Sequence, residues 1–506
     1  MPCLLGIDNG LTVTKAVIFD ADGTPLSVAR RRVPQSIPQP RHVERDMAGL
    51  WQATAEAIRE AIERSGRPAA DIAAVAATAH GDGLYLLDGD RRPLGPAILS
   101  LDSRAGGIVA EWAGPVADAA LALTGQQPHA SAPSALLAWI KRHAPERYRR
   151  IAHAFAGKDW LRFCLTGTIG TDRTEASTSF TNVATQAYAP EALRLFGLDE
   201  LGPALPPIGG SAEIAGRVTA EAAALTGLAA GTPVACGLHD VTASALGIGG
   251  HAEGIIAIVA GTYSINETVS SAPKVDARWF CRNAIAPGRW HNMAISPASA
   301  ANYDWFLDTL CRHEQEMAEA AGQSVHDRLA PEIEAALAEP ASVLFHPYLF
   351  GSPHGPVASA GFLGLRGWHG RGAMLRAVLE GIACNHRVHV DALRQGFGAG
   401  EARLTGGISR NPACAQLFAD ILGMPVTVTA TEEAAAWGAA LCAGAAVGLY
   451  ASPEADPRDL AALCRTYVPD PARSSAYERR YRLHCRLAAT LAPLWPEIEA
   501  LAGAEA

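Results

Sequence analysis

Short apolar runs that end on glycine or aspartate recur along the chain, and they predict its strands. Leu4-Leu5-Gly6-Ile7 meets Asp8-Asn9-Gly10 and reads as a buried strand entering a glycine turn. Thr14 to Asp20 reads as a second strand, with Asp22-Gly23 as a hairpin turn before Leu26 to Val33. From Asp46 the period changes: Leu50, Trp51, Thr54, Ile58, Ala61 and Ile62 share one helical face, and Gly66 is the stop. Ile72 to Ala77 is again a strand, running into Thr78-Ala79-His80-Gly81-Asp82-Gly83. Tyr85 to Asp90 and Pro96 to Leu99 are predicted to pair as a hairpin, followed by Leu101-Asp102-Ser103-Arg104. Residues 115–230 read as mostly helical and loop-like, with proline joints at Pro133, Pro206 and Pro207.

The apolar run Thr232 to Leu238 leads into Gly237-Leu238-His239-Asp240 and a helix of small residues. After Gly249 a second half opens. Glu253 to Ile265 runs strand, Gly261-Thr262 turn, strand, an echo of the N-terminus that points to internal duplication. Ala341 to Leu349 reads as a buried strand and Arg371 to Arg387 as a helix. A strand to Thr405 meets Gly406-Gly407-Ile408 and Asn411 before another helix. Glu433 to Gly448 is a small-residue helix suited to tight packing between domains, and the tail from Tyr467 reads as one amphipathic helix.

Length turns this from one core into two: 506 residues make two large domains the default, divided at 1–248 and 249–506. A composition of 49% hydrophobic and 18% charged residues describes a folded chain. The net charge of −9, without a basic cluster, argues against nucleic acid as a partner. No apolar run is long enough to span a membrane, and the start reaches Asp8 too early for a signal peptide. Ten cysteines stand singly with no CxxC, which argues against structural zinc and disulfide frameworks and for reduced thiols in a cytoplasm.

Four places carry candidate chemistry. Asp240, at a strand end among small apolar neighbours, reads either as a general base or as an ordinary helix cap. Asp8 beside Gly10, Thr12, Thr14 and Lys15 suits a phosphate and its magnesium, or is a polar hairpin tip. His80, Asp82, Asp102 and Arg104 fall at strand ends, where open α/β sheets gather ligand groups; together they suit the hydroxyls of a polyol. Gly406-Gly407 lets a flat ring or a phosphate approach the backbone. Neither a Walker A loop nor GxGxxG is present. Lys158, Asp159, Arg162 and the run Thr171 to Ser177 read equally as ligand groups or as salt bridges.

These residues resemble the FGGY carbohydrate kinases, of the sugar kinase, heat-shock chaperone and actin superfamily. The likeness spans the whole chain, on Gly6-Ile7-Asp8-Asn9-Gly10 with Lys15, on His80-Gly81 through Asp88, on the Asp240 stretch, on Gly261-Thr262, and on Gly406-Gly407 with Asn411 and Gln416. It implies an α/β fold of two ribonuclease-H-like (actin-like ATPase) domains flanking a deep cleft. Sugar and catalytic base belong to the first domain, nucleotide to the second. The runs Arg45 to Gln52 and Arg92 to Ala105 look most like L-xylulose kinases, and Gly81-Asp82-Gly83 is shared with erythritol kinases.

The implied activity is ATP-dependent phosphorylation of L-xylulose or a related ketose or keto acid, with erythritol or another polyol as the alternative. A non-catalytic sensor on the same fold is the further alternative. Asp240 would be the base. His80, Asp82, Asp102, Arg104 and His239 would read the hydroxyls, unless Arg104 pairs only with Asp102 and is structural, and Arg104 or a protonated histidine would supply the cation that a keto acid needs. Asp8 would hold Mg²⁺, and Gly10, Thr12, Lys15, Gly261, Thr262, Gly406, Gly407, Ile408 and Asn411 would hold ATP. A homodimer is the expected assembly. Leu11, Ala301 and Ala373 depart from the pattern, standing where a small or hydroxyl residue, a glycine and a histidine are common.

Overall fold

β1 (Cys3–Asn9) lies antiparallel to β2 (Val13–Asp20), and β2 antiparallel to β3 (Pro25–Arg32), in a computed structural model that describes residues 2–355 and 357–503. Gly23 turns the second hairpin at φ +85°, the left-handed conformation an Asp-Gly turn demands. On its other side β1 runs parallel to β4 (Ile72–Ala79). Beyond it β5 (Ile214–Arg217) forms the sheet edge on β6 (Pro233–Ala235), and β6 and β7 (Leu238–His239) both run parallel to β4.

Strand alternation sends side chains to two cores. Cys3, Leu5, Ile7, Ala16 and Ile18 pack with Leu50, Ala57 and Ile58 of the helix Met47–Ser65. That helix begins and ends where the periodicity predicts: Asp46 accepts the N–H groups of Ala48 and Gly49, and Gly66 closes it at φ +66°. Leu4, Val17, Phe19, Ala74 and Ala76 face the other way, onto Trp437, Ala440 and Ala443.

The chain is built of two compact units that are not its two contiguous halves. The first takes the residues up to Glu253 and also Val269–Asn292 and Thr431–Leu460; the second takes Gly254–Thr268, Met293–Ala430 and the chain from Ala461 on. The small-residue helix, Ala434–Ala446, therefore packs inside the first unit rather than between domains. A Cβ at Gly6 would lie 2.0 Å from the Ala436 carbonyl oxygen, and one at Gly438 2.0 Å from that of Ala243. Its small residues let backbone meet backbone.

In the second unit β8 (Ile255–Ala260) is antiparallel to β9 (Ser264–Ser270) and parallel to β10 (Glu401–Thr405). β10 runs parallel to β11 (Val426–Thr429), which pairs antiparallel with β12 (Cys464–Tyr467). The succession β9-β8-β10-β11 repeats the directions of β2-β1-β4-β6, so the duplication legible at Gly261-Thr262 extends through the sheet.

Three expectations change. Leu84 and Ile98 exchange antiparallel backbone bonds and the Leu86 carbonyl accepts the Leu94 N–H, but the strand Tyr85–Leu87 pairs with His153–Phe155 and Ala97–Ile98 with Glu44–Arg45. The strand expected over 341–349 is only Leu344–His346. The tail is strand β12 followed by two helices, Pro471–Leu491 and Trp495–Gly503.

Candidate active site

Asp240 is the first residue of the helix Asp240–Gly247, and the cap position belongs to His239. The cap reading therefore fails for the aspartate. Its Oδ1 accepts the Val241 N–H at 2.7 Å, its side chain is 30% exposed, and the helix N-terminus favours its negative charge. The backbone before it is braced from below. His239 N–H donates to Thr174 Oγ1 at 2.9 Å, and that hydroxyl donates to Asp172 Oδ2 at 2.8 Å. Asp172 in turn pairs with Lys158 at 3.0 Å, and Lys158 with Asp159 at 2.6 Å, all wholly buried. Burial works against Asp172's charge, but Lys158 and the Ser211 hydroxyl hold its carboxyl below the ordinary range. The polar groups of 158–177 are thus the foundation of the Asp240 turn.

His239 Nε2 lies 3.5 Å from Asp240 Oδ1, and its ring rests on Gly81, where a Cβ would come within 1.5 Å of that nitrogen. Gly81 is bare so that the imidazole can sit there. His80, at the end of β4, has Nε2 3.2 Å from Tyr85 Oη, while its buried Nδ1 has no partner. Burial lowers both imidazoles to about 3, so both are neutral near pH 7.

Asp82 holds a positive φ of 57°. Its Oδ1 faces Arg282 Nη2 at 3.1 Å and His129 Nε2 at 3.6 Å. Burial would raise this carboxyl, but the Arg282 guanidinium and the His129 imidazole overcome it and hold it well below the usual range.

Asp102 and Arg104 are occupied with each other. Arg104 Nε and Nη2 bind Asp102 at 2.7–3.0 Å, Nη2 binds Glu44 at 2.7 Å, and Asp102 Oδ2 accepts the Val43 N–H. Both side chains are almost wholly buried, with the guanidinium over Trp139. This geometry braces Val43 and Glu44 and leaves the hydroxyl-reading role expected of the pair without support.

At the other turn Asp8 faces Lys15 across the ladder, 3.5 Å apart, and Lys15 reaches Glu433 at 3.0 Å. Glu433 also pairs with Arg30. Burial raises the Asp8 carboxyl, and Lys15 only partly offsets it. Thr12 is exposed at the tip. Two expected phosphate contacts are absent: the Gly10 N–H is spent on the Val13 carbonyl at 2.9 Å, and Thr14 is buried against Thr54.

In the second unit the Gly261 carbonyl accepts the Ala300 N–H at 2.8 Å, joining the Gly261-Thr262 turn to the helix Ala300–Leu310. Gly406 sits at φ +108°, and a Cβ there would lie 2.3 Å from the Ala260 carbonyl oxygen; its glycine is structural. Gly407 is different. Nothing lies within 4 Å of where its Cβ would be, and it lines a cavity of about 280 Å³ with Tyr303, His326, Ile408, Arg410 and Asn411. The Tyr303 and His326 rings stack 5.7 Å apart. Asn411 Oδ1 caps the helix Pro412–Leu422 through the Ala413 N–H. Ala373 lines a separate cavity with Ser342 and His369, so its departure from the pattern falls outside this pocket.

Sequence reasoning missed Glu433, Arg282 and His129. Among the described residues no cluster of three His, Cys, Asp or Glu could hold a metal by itself. A magnesium held by one carboxylate, phosphate oxygens and water needs no such cluster, and Asp8 fits that single role.

The FGGY carbohydrate kinase domain models match residues 3–247 (N-terminal domain) and 256–447 (C-terminal domain). The L-xylulose/3-keto-L-gulonate kinase of Escherichia coli (strain K12) is 34% identical over 497 residues, 96% of this chain and 97% of that protein. The erythritol kinase of Brucella abortus (strain 2308) is 31% identical over 517 residues, 98% of this chain and 97% of that one. The crystal structure of xylulose kinase from Rhodospirillum rubrum has a TM-score of 0.80 and 30% identity, covering 97% of this chain and 99% of that chain.

Proposed function

From the premise that this chain belongs to the FGGY family of carbohydrate kinases, we propose that it transfers the γ-phosphoryl group of ATP to a hydroxyl of L-xylulose or a close ketose. The enzyme is a sugar kinase; the sugar, the residues and the metal are our reading. The observation that carries it is Asp240, a half-buried carboxylate fixed at a helix N-terminus through Asp172, Thr174 and His239. Asp240 accepts the proton of the attacking hydroxyl as the phosphoryl group departs. Neutral His80 and His239 can each donate or accept a hydrogen bond, and Asp82 accepts one from a second hydroxyl. These sugar-side residues all lie in the first unit.

The cavity at Gly407 suits a base and its ribose, with Tyr303 and His326 as the aromatic wall and Ile408 and Asn411 beside them. Gly261 and Thr262 in the second unit suit phosphate oxygens, as do Thr12 and Lys15 in the first. Asp8 would hold Mg²⁺, which would supply neutralisation of phosphate charge. The cytoplasm is the proposed compartment: all ten cysteines are free thiols, and no helix among the described residues is long and apolar enough to cross a membrane.

The 31% identity to an erythritol kinase keeps a polyol as the second reading. A coupled ADP-release assay over L-xylulose, D-xylulose, ribulose, erythritol, glycerol and 3-keto-L-gulonate separates them. L-xylulose should lead in kcat/KM. A lead for erythritol of about tenfold, about 1.4 kcal/mol in the transition state, would move the assignment to the polyol.

A further inference from the structure

Cations decide whether a sugar site accepts a carboxylated substrate, and here the cations are spoken for. Arg104 is committed to Asp102 and Glu44. His80 and His239 are neutral near pH 7 because they are buried. That leaves Arg282, whose side chain is 2% exposed on the strand Phe280–Asn283. Its Nε binds Gln126 Oε1 at 2.8 Å, its Nη2 binds Asp82 Oδ1 at 3.1 Å, and its buried Nη1 has no partner. Arg282 is thus a fixed positive charge whose carboxylate partner, among the described residues, is Asp82 of the sugar-binding loop.

We propose that Asp82 is a specificity-determining residue that masks Arg282, so that the site takes an uncharged ketose or polyol in preference to a carboxylated sugar. This rests on the reading of the His80–Gly83 loop as sugar-binding. A carboxylate entering there would meet Asp82 and Asp240 with one guanidinium, and the His129 ring 3.6 Å from Asp82, shared between three negative groups, and like charges at short range in a partly dry site repel strongly. An uncharged sugar meets none of that repulsion and still finds acceptors in both aspartates. Removing the charge of Asp82 hands Arg282 to the ligand, whose carboxylate it can bind through two N–H groups.

The test uses Asp82→Asn and Arg282→Gln. Asparagine tolerates the positive φ at this position, so Asp82→Asn keeps the loop backbone. Calorimetric binding of xylitol and of L-gulonate, with kcat/KM for L-xylulose and 3-keto-L-gulonate, gives a neutral-to-acid preference for each protein. The wild type should prefer the neutral member by about tenfold or more. Asp82→Asn should shrink that ratio by about tenfold, and Arg282→Gln, which leaves Asp82 unneutralised, should widen it. Should Asp82→Asn not fold, the wild-type ratio and the Arg282→Gln shift decide alone. A wild type that prefers the acid, or variants that weaken both ligands equally, would overturn the proposal. Binding is read without turnover, so absent sugar-dependent ADP release would count against the kinase reading, whereas an unchanged binding ratio counts against Asp82.

Discussion

His386 places its Nε2 2.9 Å from the Ser299 hydroxyl, at the start of the helix whose first N–H caps the Gly261 carbonyl. Its other nitrogen, Nδ1, lies 2.8 Å from Asn266 Oδ1 and 3.1 Å from Ser264 Oγ, just past the Gly261-Thr262 turn. Asn266 Oδ1 can only accept, so Nδ1 carries the proton and Nε2 accepts from Ser299. One neutral, fully buried imidazole thus ties both sides of the turn assigned to the phosphates. His386→Ala should raise KM for ATP by about tenfold while leaving KM for the sugar nearly unchanged. Initial rates with each substrate varied in turn check it, and equal shifts in both constants would reduce His386 to a packing residue.

The same histidine predicts a pH dependence of stability. Burial lowers it to about 3, against about 6.5 in an unfolded chain. Above pH 6.5 neither state holds the proton. Below it the unfolded chain takes up a proton that the fold refuses, so each such histidine removes about 1.4 kcal/mol of stability per pH unit until pH nears 3. His386→Gln removes one of these groups. Urea unfolding at pH 7, 6 and 5 should give a variant profile flatter than the wild type by that slope; parallel profiles would contradict the assignment.

Gly438 lies against the Ala243 carbonyl at a distance that no side chain fits, since a Cβ would approach to 2.0 Å. Backbone on both sides leaves nothing flexible to yield. Gly438→Ala should destabilise the first unit by about 2 kcal/mol or more. Gly407→Ala, with open space at its Cβ, should leave the thermal midpoint alone and weaken ATP binding instead. Melting curves and nucleotide titrations of the two variants together distinguish a structural glycine from a ligand-facing one.

How much of this was legible in the sequence depends on how far apart the interacting residues lie. The hairpin at Gly23, the helix from Asp46 to Gly66 and the Gly261-Thr262 turn are written in local period and punctuation, and each stands in the structure. Lys15 and Glu433 are 418 residues apart, and Asp82 and Arg282 are 200 apart. Pairs like these leave no periodic trace, and only the folded sheet brings them together. Composition showed that the helix Ala434–Ala446 approaches something closely, but not that its neighbours are β1, β4 and the Asp240 helix of its own unit. Asp102 and Arg104, read either as a hydroxyl-reading pair or as partners of each other, are the opposite case. Two residues apart, they were free to satisfy each other, and burial made that the stable choice.

The role of Asp240 is tested most directly by Asp240→Asn, which removes the base while preserving size and the helix start. ADP release with the preferred sugar and ATP, measured beside calorimetric sugar binding, gives both readouts on one preparation. Turnover should fall by about 10²-fold or more while sugar affinity persists. Turnover close to that of the wild type would contradict the account.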